Sequence, residues 1–177
     1  MNQPCLVIIK PDGIVKSLTG NIITALSETK LKIVGAKIVK VTPEFAKKHY
    51  HELLPKLIKK HGNEKGTALF EGTVDYITGK YHTDRVLALI YYGEGAIEKI
   101  REICGVTNPE EAHPITIRGK YGRINSKTGV FENVVHASDS EESAEREIKL
   151  WFSPHEVCEP IYSTKEETSK TIRRVWK

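Results

Sequence analysis

The spacing of apolar residues along the chain alternates between a strand-like and a helix-like pattern. Short apolar runs rich in branched residues and bounded by turn residues predict four buried strands, at 4–10, 31–41, 85–93 and 130–136. Apolar residues at helical spacing predict helices over 20–30, 42–50, 67–79, 95–105 and 139–152. The turn-rich segment 106–129 predicts a long loop, and long loops are often functional.

This order of elements predicts the fold class. Strand, helix, strand, helix pair, strand, helix, strand and helix give an α+β fold. It is a ferredoxin-like βαββαβ sandwich, in which helices pack on a four-stranded antiparallel sheet. With 177 residues and no internal repeat or linker, the chain is expected to form one domain over 1–177. Residues 153–177 have mixed charges and no strong period, and are interpreted as a C-terminal extension.

Local signals add detail to this outline. Gly35 lies inside the second strand, where an isolated glycine indicates a bulge. The basic segment 53–66 is interrupted by Pro55 and Gly62, which predicts a helix end followed by a loop. Ser138 and Glu141 have the spacing of a capping box, so the last helix is predicted to begin near residue 139.

Composition and charge limit the classes of function. The formal net charge is +4, which permits contact with phosphates but does not indicate a nucleic-acid binder. Three cysteines, Cys5, Cys104 and Cys158, are odd in number and far apart, which favours a reducing compartment over a disulfide framework. No signal peptide and no membrane-spanning apolar run is recognised, so a cytoplasmic location is expected.

His136 is the first candidate for chemistry, because it ends a predicted strand just before a predicted helix. A neutral imidazole with a pKa of roughly 6.5 can attack phosphorus without a separate base. Glu147 on the following helix is a candidate to grip the other ring nitrogen and fix its tautomer. Taken alone, a single histidine is more often an ordinary surface or core residue, and an acidic run is more often a solvated helix face.

Phosphoryl transfer also needs cations around the phosphate oxygens. Lys10, Arg101 and Arg118 supply candidate cations, and Thr107 and Asn133 supply candidate hydrogen-bond donors to phosphate or ribose. Each has an ordinary alternative, such as a strand-end lysine, a solvated arginine or a turn cap. The sequence contains neither GxxxxGK[ST] nor GxGxxG, so side chains rather than a glycine loop would hold a nucleotide.

Several segments together carry a resemblance to a known family. They are "IIKPDG", "KKHY", "TNP", "TIRG", "NVVHASDS" and "SAEREIKLWF", in this order, over most of 4–152. In these segments the chain resembles the nucleoside diphosphate kinases. The resemblance implies a Mg²⁺-dependent ping-pong exchange, in which a nucleoside triphosphate, mainly ATP, phosphorylates a histidine and a nucleoside diphosphate then collects the phosphate.

The resemblance also implies roles for individual residues. His136 would be the nucleophile, oriented by Glu147 with support from Ser138 and Tyr50. The remaining site residues would hold the nucleotide: Lys10, Arg101, Thr107 and Arg118 at the phosphates, Lys10 and Asn133 at the ribose, and Phe70 at the base. No residue would bind a metal directly, because the phosphates carry the Mg²⁺. A homo-oligomer, hexamer or tetramer, is also implied.

Two assignments keep alternatives. Placing the base-stacking residue at Phe70 depends on an alignment across 53–69, which is longer than the family usually has, and helical spacing with Val74 makes a core position plausible. Tyr50 could serve in packing. Val130 is the candidate for the second face of the base. His49 and His51 are interpreted as surface residues, since positions two apart on a helix do not share a face.

A second function class is a non-catalytic nucleotide- or nucleic-acid-binding module on the same fold, because fold alone does not decide function. Its footprint would be basic: Lys56, Lys59, Lys60, Lys65, Arg173 and Arg174. These residues are not interleaved with aromatic residues as RNA-binding sheets require, which argues against nucleic acid. A third class, a scaffold built on a decayed kinase, is opposed by the presence of every expected type of site residue.

Overall fold

A four-stranded antiparallel sheet forms the centre of the computed structural model, which describes residues 1–168. The strands are β1 (Asn2–Ile9), β2 (Lys32–Lys40), β3 (Arg85–Glu94) and β6 (Val135–Ala137), and their order in the sheet is β2-β3-β1-β6. Two short strands, β4 (Arg123–Ile124) and β5 (Phe131–Glu132), pair separately as a hairpin. The predicted ferredoxin-like α+β fold is confirmed.

Both faces of the sheet are covered, which explains why β1 is a continuous apolar run. Residues 5 to 9 of this strand have no exposed surface. Cys5, Val7 and Ile9 belong to one core cluster, whereas Leu6 and Ile8 belong to the other. Successive side chains of a strand point to opposite faces, so this alternation places one cluster on each side of the sheet.

Eight α-helices and one 3-10 helix, Pro154–Glu156, lie within the described residues. The α-helices are α1 (Pro11–Val15), α2 (Thr19–Ser27), α3 (Pro43–His49), α4 (Leu53–His61), α5 (Asn63–Ile77), α6 (Ala96–Cys104), α7 (Ile117–Tyr121) and α8 (Glu141–Trp151). Helices α2 and α6 contribute to the cluster with Cys5, and α3, α5 and α8 contribute to the cluster with Leu6. None of the helices in residues 1–168 is long and apolar enough to cross a membrane.

The prediction of a helix end followed by a loop over 53–66 is wrong, because most of this segment is helical. Residues Leu53–His61 are helical, and α5 already begins at Asn63. Pro55 is the third residue of α4, where its missing N–H removes no intrahelical hydrogen bond, so the helix tolerates it. Gly62 separates the two helices with a φ of +82°, a conformation that glycine adopts without strain.

The last predicted strand is broken in the structure. Residues 130–136 form β5 and β6, separated by Asn133 and Val134, and Val134 has a φ of +56°. Serine 140, not Ser138, caps α8 by accepting the Ser143 N–H at 3.1 Å. The predicted loop 106–129 contains α7, whereas the bulge at Gly35 is confirmed by a register shift between Ile33 and Gly35.

The described part of the C-terminal extension packs along β2. The Cys158 N–H donates to the Val34 carbonyl at 2.8 Å, and Lys37 pairs with Glu156 at 2.7 Å. Arg173 and Arg174 lie outside the described residues. The interpretation of 1–177 as one domain with an extension stays a prediction.

Candidate active site

A cleft of about 410 Å³ lies at the end of β6, between the α3–α5 helices and the segment 129–131. Eight of the ten predicted site residues line it: Lys10, Tyr50, Arg101, Thr107, Arg118, Asn133, His136 and Glu147. These residues come from segments spread over most of the chain, and the fold brings them to one cleft.

His136 lies on β6, opposite Ile8 of β1, and its side chain is 19 % exposed. Its Nε2 atom is 3.1 Å from Oε2 of Glu147, which comes from α8. An ionised carboxylate only accepts hydrogen bonds, so Nε2 carries the proton and Nδ1 keeps its lone pair. The ring is therefore fixed in the tautomer that a nucleophile at Nδ1 requires.

Glu147 is 4 % exposed and its carboxylate is ionised. Burial by itself would raise the pKa of Glu147, but the nearby His136 and the hydrogen bonds to the carboxylate outweigh burial and hold this pKa at about 2. Ser138 contributes one of these bonds, because its Oγ donates to Oε2 of Glu147 at 2.7 Å. The Leu6 N–H donates to the same Oγ at 3.2 Å, which ties the group to β1.

Ser138 therefore lies behind the cleft rather than in it. Its exposed fraction is 0 %, and it reaches the site only through Glu147. This position agrees with a supporting place beside the histidine, but the sequence-based expectation that Ser138 caps α8 is wrong.

Two cations of the cleft, Lys10 and Arg118, are buried and hydrogen-bonded to their neighbours, whereas Arg101 is half-buried. Lys10 donates through Nζ to Oδ1 of Asn133 at 2.7 Å, and Asn133 donates through Nδ2 to the Thr107 carbonyl at 2.8 Å. Burial lowers the pKa of Lys10 to about 8, with Asp12 opposing and Arg118 assisting the change. Lys10 therefore reaches the cleft with a weakly solvated ammonium group.

Arg118 has a structural contact for each arm of its guanidinium. Its Nη1 donates to the Gly105 carbonyl at 2.6 Å, and its Nε and Nη2 donate to the Val135 carbonyl at 3.3 and 3.1 Å. Only 4 % of the residue is exposed, and burial lowers its pKa. Arg118 thus fastens α7 to β6 beside His136.

Phe70 is the second predicted site residue, after Ser138, that does not line the cleft. It is 5 % exposed and belongs to the core cluster with Val74 and Ile77. Leu69 and Thr73 line the cleft instead. One residue along a helix turns the side chain by about 100°, so Phe70 faces the sheet while Leu69, with Thr73 four residues on, faces the cleft. The assignment of Phe70 to the base is therefore wrong, and the core alternative holds.

Tyr50 and Val130 do lie at the cleft. Burial raises the pKa of the Tyr50 hydroxyl, and within residues 1–168 this hydroxyl has no hydrogen-bond partner. Val130 is 8 % exposed, lies close to Gly72 of α5, and lines the cleft beside Gly129 and Phe131. Both residues line the cleft, and Tyr50 also packs against the core cluster of Leu6, so their roles stay predictions.

The prediction that His49 is a surface residue is wrong. His49 is 3 % exposed, and its ring centroid is 4.7 Å from that of His136. Trp151 donates its indole N–H to Nδ1 of His49 at 3.1 Å. The position three residues after the buried Ala46 was the available signal, since i and i+3 share a helix face. His51 is exposed, as expected.

Two buried carboxylates that support the cleft were not found from the sequence. Asp12 is 0 % exposed and accepts the Val134 N–H at 3.1 Å, which holds the strained turn between β5 and β6. Glu132 is 1 % exposed and accepts from Arg123 at 2.6 Å and Asn125 at 2.9 Å. An acidic residue inside an apolar run, as in "VFENVVH", was the signal for Glu132.

The donor atoms suit a phosphate-bound Mg²⁺ better than a protein-bound one. His49, His136 and Glu147 offer three atoms within 4.8 Å of one another, the one such cluster within residues 1–168. Mg²⁺ prefers oxygen ligands, and here two of the three donors are imidazoles. The single carboxylate is already engaged by His136 and Ser138. The buried cations Lys10 and Arg118 instead favour phosphate oxygens as the ligands that would carry the ion.

Comparisons with known proteins agree with this geometry. A family model described as "Nucleoside diphosphate kinase" matches residues 3–157. The nucleoside diphosphate kinase of Pyrococcus furiosus is 44 % identical over 154 residues, which are 87 % of this chain and 85 % of the relative. That of Staphylococcus carnosus is 41 % identical over 161 residues, covering 91 % of this chain and 93 % of the relative.

Solved structures give the same result. The nucleoside-diphosphate kinase of Borrelia burgdorferi, described as a transition state mimic with bound vanadate and ADP, has a TM-score of 0.75 and 32 % identity over 94 % of each chain. An NDP kinase from Pyrobaculum aerophilum has a TM-score of 0.78 and 31 % identity, covering 90 % of this chain and 100 % of that one. The chain therefore belongs to the nucleoside diphosphate kinase family of phosphotransferase enzymes.

Proposed function

We propose that the enzyme transfers the γ-phosphate of a nucleoside triphosphate, mainly ATP, to a nucleoside diphosphate through a phosphohistidine on His136. One observation carries the proposal. Nε2 of His136 is 3.1 Å from the ionised Glu147 carboxylate, in a cleft that also contains Lys10, Arg101 and Arg118. A nucleophilic ring with a fixed tautomer beside a set of cations is the arrangement that phosphoryl transfer needs.

The transfer is a pair of opposite substitutions at phosphorus. The Nδ1 lone pair of His136 forms a bond to the γ-phosphorus, the bond to the β,γ-bridging oxygen breaks, and the nucleoside diphosphate leaves. Nε2–H remains bonded to Glu147, whose negative charge stabilises the positive charge that develops on the ring. A second nucleoside diphosphate then attacks the phosphohistidine and restores the free ring. No separate base is required in either direction.

The cleft divides into a phosphate end and a base end in this proposal. Lys10, Arg101, Thr107 and Arg118 contact the phosphates, and Lys10 with Asn133 contacts the ribose. At the base end, Leu69 takes the place expected of Phe70, and Val130 lines the same cleft. Contact with two aliphatic side chains uses the flat face of a base, which all bases have, so we expect little discrimination between bases from this pair.

Mg²⁺ is proposed to enter on the phosphates of the nucleotide and, when bound there, to neutralise phosphate charge. The residues that would hold this complex through the phosphate oxygens are Lys10, Arg101 and Arg118. A cytoplasmic location and a hexamer or tetramer stay predictions. Analytical ultracentrifugation of the purified enzyme measures the assembly directly.

The test is a two-step transfer of labelled phosphate. The enzyme is mixed with Mg²⁺ and γ-labelled ATP, freed of nucleotide, and examined for a protein-bound label that is lost in acid and kept in alkali. Addition of GDP or UDP should then release labelled triphosphate. His136→Ala should abolish labelling, whereas His51→Ala, at a side chain that is 52 % exposed, should not.

Absence of label on the folded enzyme would contradict the phosphohistidine. In that case nucleotide binding measured by calorimetry would decide whether the cleft is a binding site without turnover, the alternative that the fold also allows.

A further inference from the structure

His49 is a buried polar residue beside the nucleophile, and one of its ring nitrogens has no partner. Its exposed fraction is 3 %, and it lines the cleft in edge contact with the His136 ring at 4.7 Å. Within residues 1–168 its Nε2 atom makes no hydrogen bond. A buried polar atom left without a partner destabilises the fold, so such an atom in a native protein calls for an explanation.

The hydrogen bond from Trp151 identifies the unpartnered atom as a donor. An indole nitrogen can only donate, so Nδ1 of His49 accepts the 3.1 Å bond with its lone pair. Burial lowers the pKa of His49 well below its ordinary value, and the nearby His136 lowers it further, so the ring is neutral. A neutral ring has one proton, which must then be on Nε2. The same tautomer prevents Nε2 from serving as a metal ligand.

The Glu147 carboxylate is a strong acceptor close to the His49 ring. One nitrogen of His49, one nitrogen of His136 and one carboxylate oxygen of Glu147 lie within 4.8 Å of one another. Oε2 of Glu147 already accepts from His136 and Ser138, whereas the contact of Oε1 is Arg146 at 3.8 Å. Two hydrogen bonds of about 2.8 Å that meet at a water molecule span about 4.6 Å, so one water bridges such a distance.

We propose that His49 is a positioning residue, whose Nε2–H donates through one ordered water to the Glu147 carboxylate. Trp151, His49, the water, Glu147 and His136 then form one hydrogen-bonded chain that begins in the core and ends at the nucleophile. The Glu147 carboxylate gains a third donor, which limits its rotation and keeps it against Nε2 of His136. The inference rests on the proposed function to the extent that His136 is the nucleophile.

Two amide substitutions distinguish this positioning role from a role in packing alone. In His49→Gln the side-chain amide reaches the position of Nε2 and can still donate towards Glu147. In His49→Asn the amide reaches only the position of Nδ1, near Trp151. We expect His49→Asn to lower the rate of phosphoenzyme formation, measured in a single turnover, by about 10-fold or more, as losses behind a catalytic histidine do. We expect His49→Gln to restore most of that rate.

A measurement on the resting wild-type enzyme tests the proton position without using activity. Nitrogen-15 NMR of the histidine rings should show His49 with Nε2 protonated and Nδ1 bare, and Trp151→Phe should remove this preference. Equal losses in the Gln and Asn variants, with unchanged melting, would overturn the proposal, because a packing role does not distinguish the two amides. A proton on Nδ1 of His49 would overturn it as well.

The experiments distinguish a failure of the proposed function from a failure of the positioning role of His49. If the wild-type enzyme forms no phosphohistidine, the proposed function fails, while the NMR result still decides the tautomer and the presence of the chain. If phosphohistidine forms but His49 lacks the Nε2 proton, the function stands and the positioning role falls.

Discussion

Replacing Glu147 by glutamine tests the central pair of the cleft with little change in shape. The Gln side chain keeps an oxygen that can accept from Ser138 or His136, but it loses the negative charge. In the wild type, Oε2 is 2.7 Å from the Ser138 Oγ and 3.1 Å from Nε2 of His136. We expect kcat/KM to fall about 10- to 100-fold, the range for partners that orient a functional imidazole.

The same substitution has a predicted pH signature in stability. The pKa of Glu147 is about 2 in the folded enzyme, against an ordinary value of 4.5. Because 1 pKa unit corresponds to about 1.4 kcal/mol, this difference of about 2.5 corresponds to about 3 kcal/mol of folding free energy. The folded pKa is the lower one, so the contribution is complete above about pH 4.5 and is lost as the pH falls towards 2.

Urea unfolding at a series of pH values measures this contribution. The stability gap between the wild type and Glu147→Gln should be constant from pH 7 to about pH 5 and should shrink by about 3 kcal/mol towards pH 2. Glu145→Gln is the matched control, because Glu145 lies on the same helix and is half-exposed. A gap that stays the same down to pH 2, or a Gln variant with wild-type kcat/KM, would refute the reasoning.

Three further predictions concern other residues of the cleft and of the core beside it. Phe70→Ala should cost about 3–5 kcal/mol in urea unfolding with little change in nucleotide KM, whereas Leu69→Ala should raise KM with a smaller stability loss; the reverse pattern would return the base to Phe70. Asp12→Ala should destabilise the enzyme by about 1–3 kcal/mol, because a buried backbone N–H loses its acceptor; Asp12→Asn, which keeps an acceptor, should lose less. Arg118→Ala should lower both the melting temperature and kcat/KM, whereas Arg101→Ala should lower mainly kcat/KM; equal melting losses would contradict this difference.

The sheet was predictable because its signals are local. The run "CLVII" in β1 must be buried on both faces, and such a run identifies a central strand without any knowledge of its neighbours. The order of strands and helices then leaves few topologies, and the ferredoxin-like one is found. The candidate residues of the cleft came from short motifs whose members are fixed in sequence, such as "NVVHASDS".

The errors arose where a local signal had two meanings. Pro55 in the sequence indicates an interruption of the helix, but in the first turn of α4 it has no such effect. Phe70 and Leu69 are adjacent apolar residues, and the sequence does not say which of them faces the sheet. Only the direction of α5 over the core decides that Phe70 is buried and Leu69 faces the cleft.

The polar interior could not have been predicted from patterns, because its contacts join distant parts of the chain. Lys10 and Asn133 are 123 positions apart, and Trp151 and His49 are 102 positions apart. Each of these residues is unremarkable in its own segment, where a lysine ends a strand or a histidine follows two lysines. In the folded chain these residues form hydrogen bonds with each other, because a polar group that is buried away from water needs another polar group as a partner. Lys10 and Arg118, which are proposed to contact the nucleotide, therefore also hold neighbouring segments together, and each requires a stability measurement beside every kinetic one.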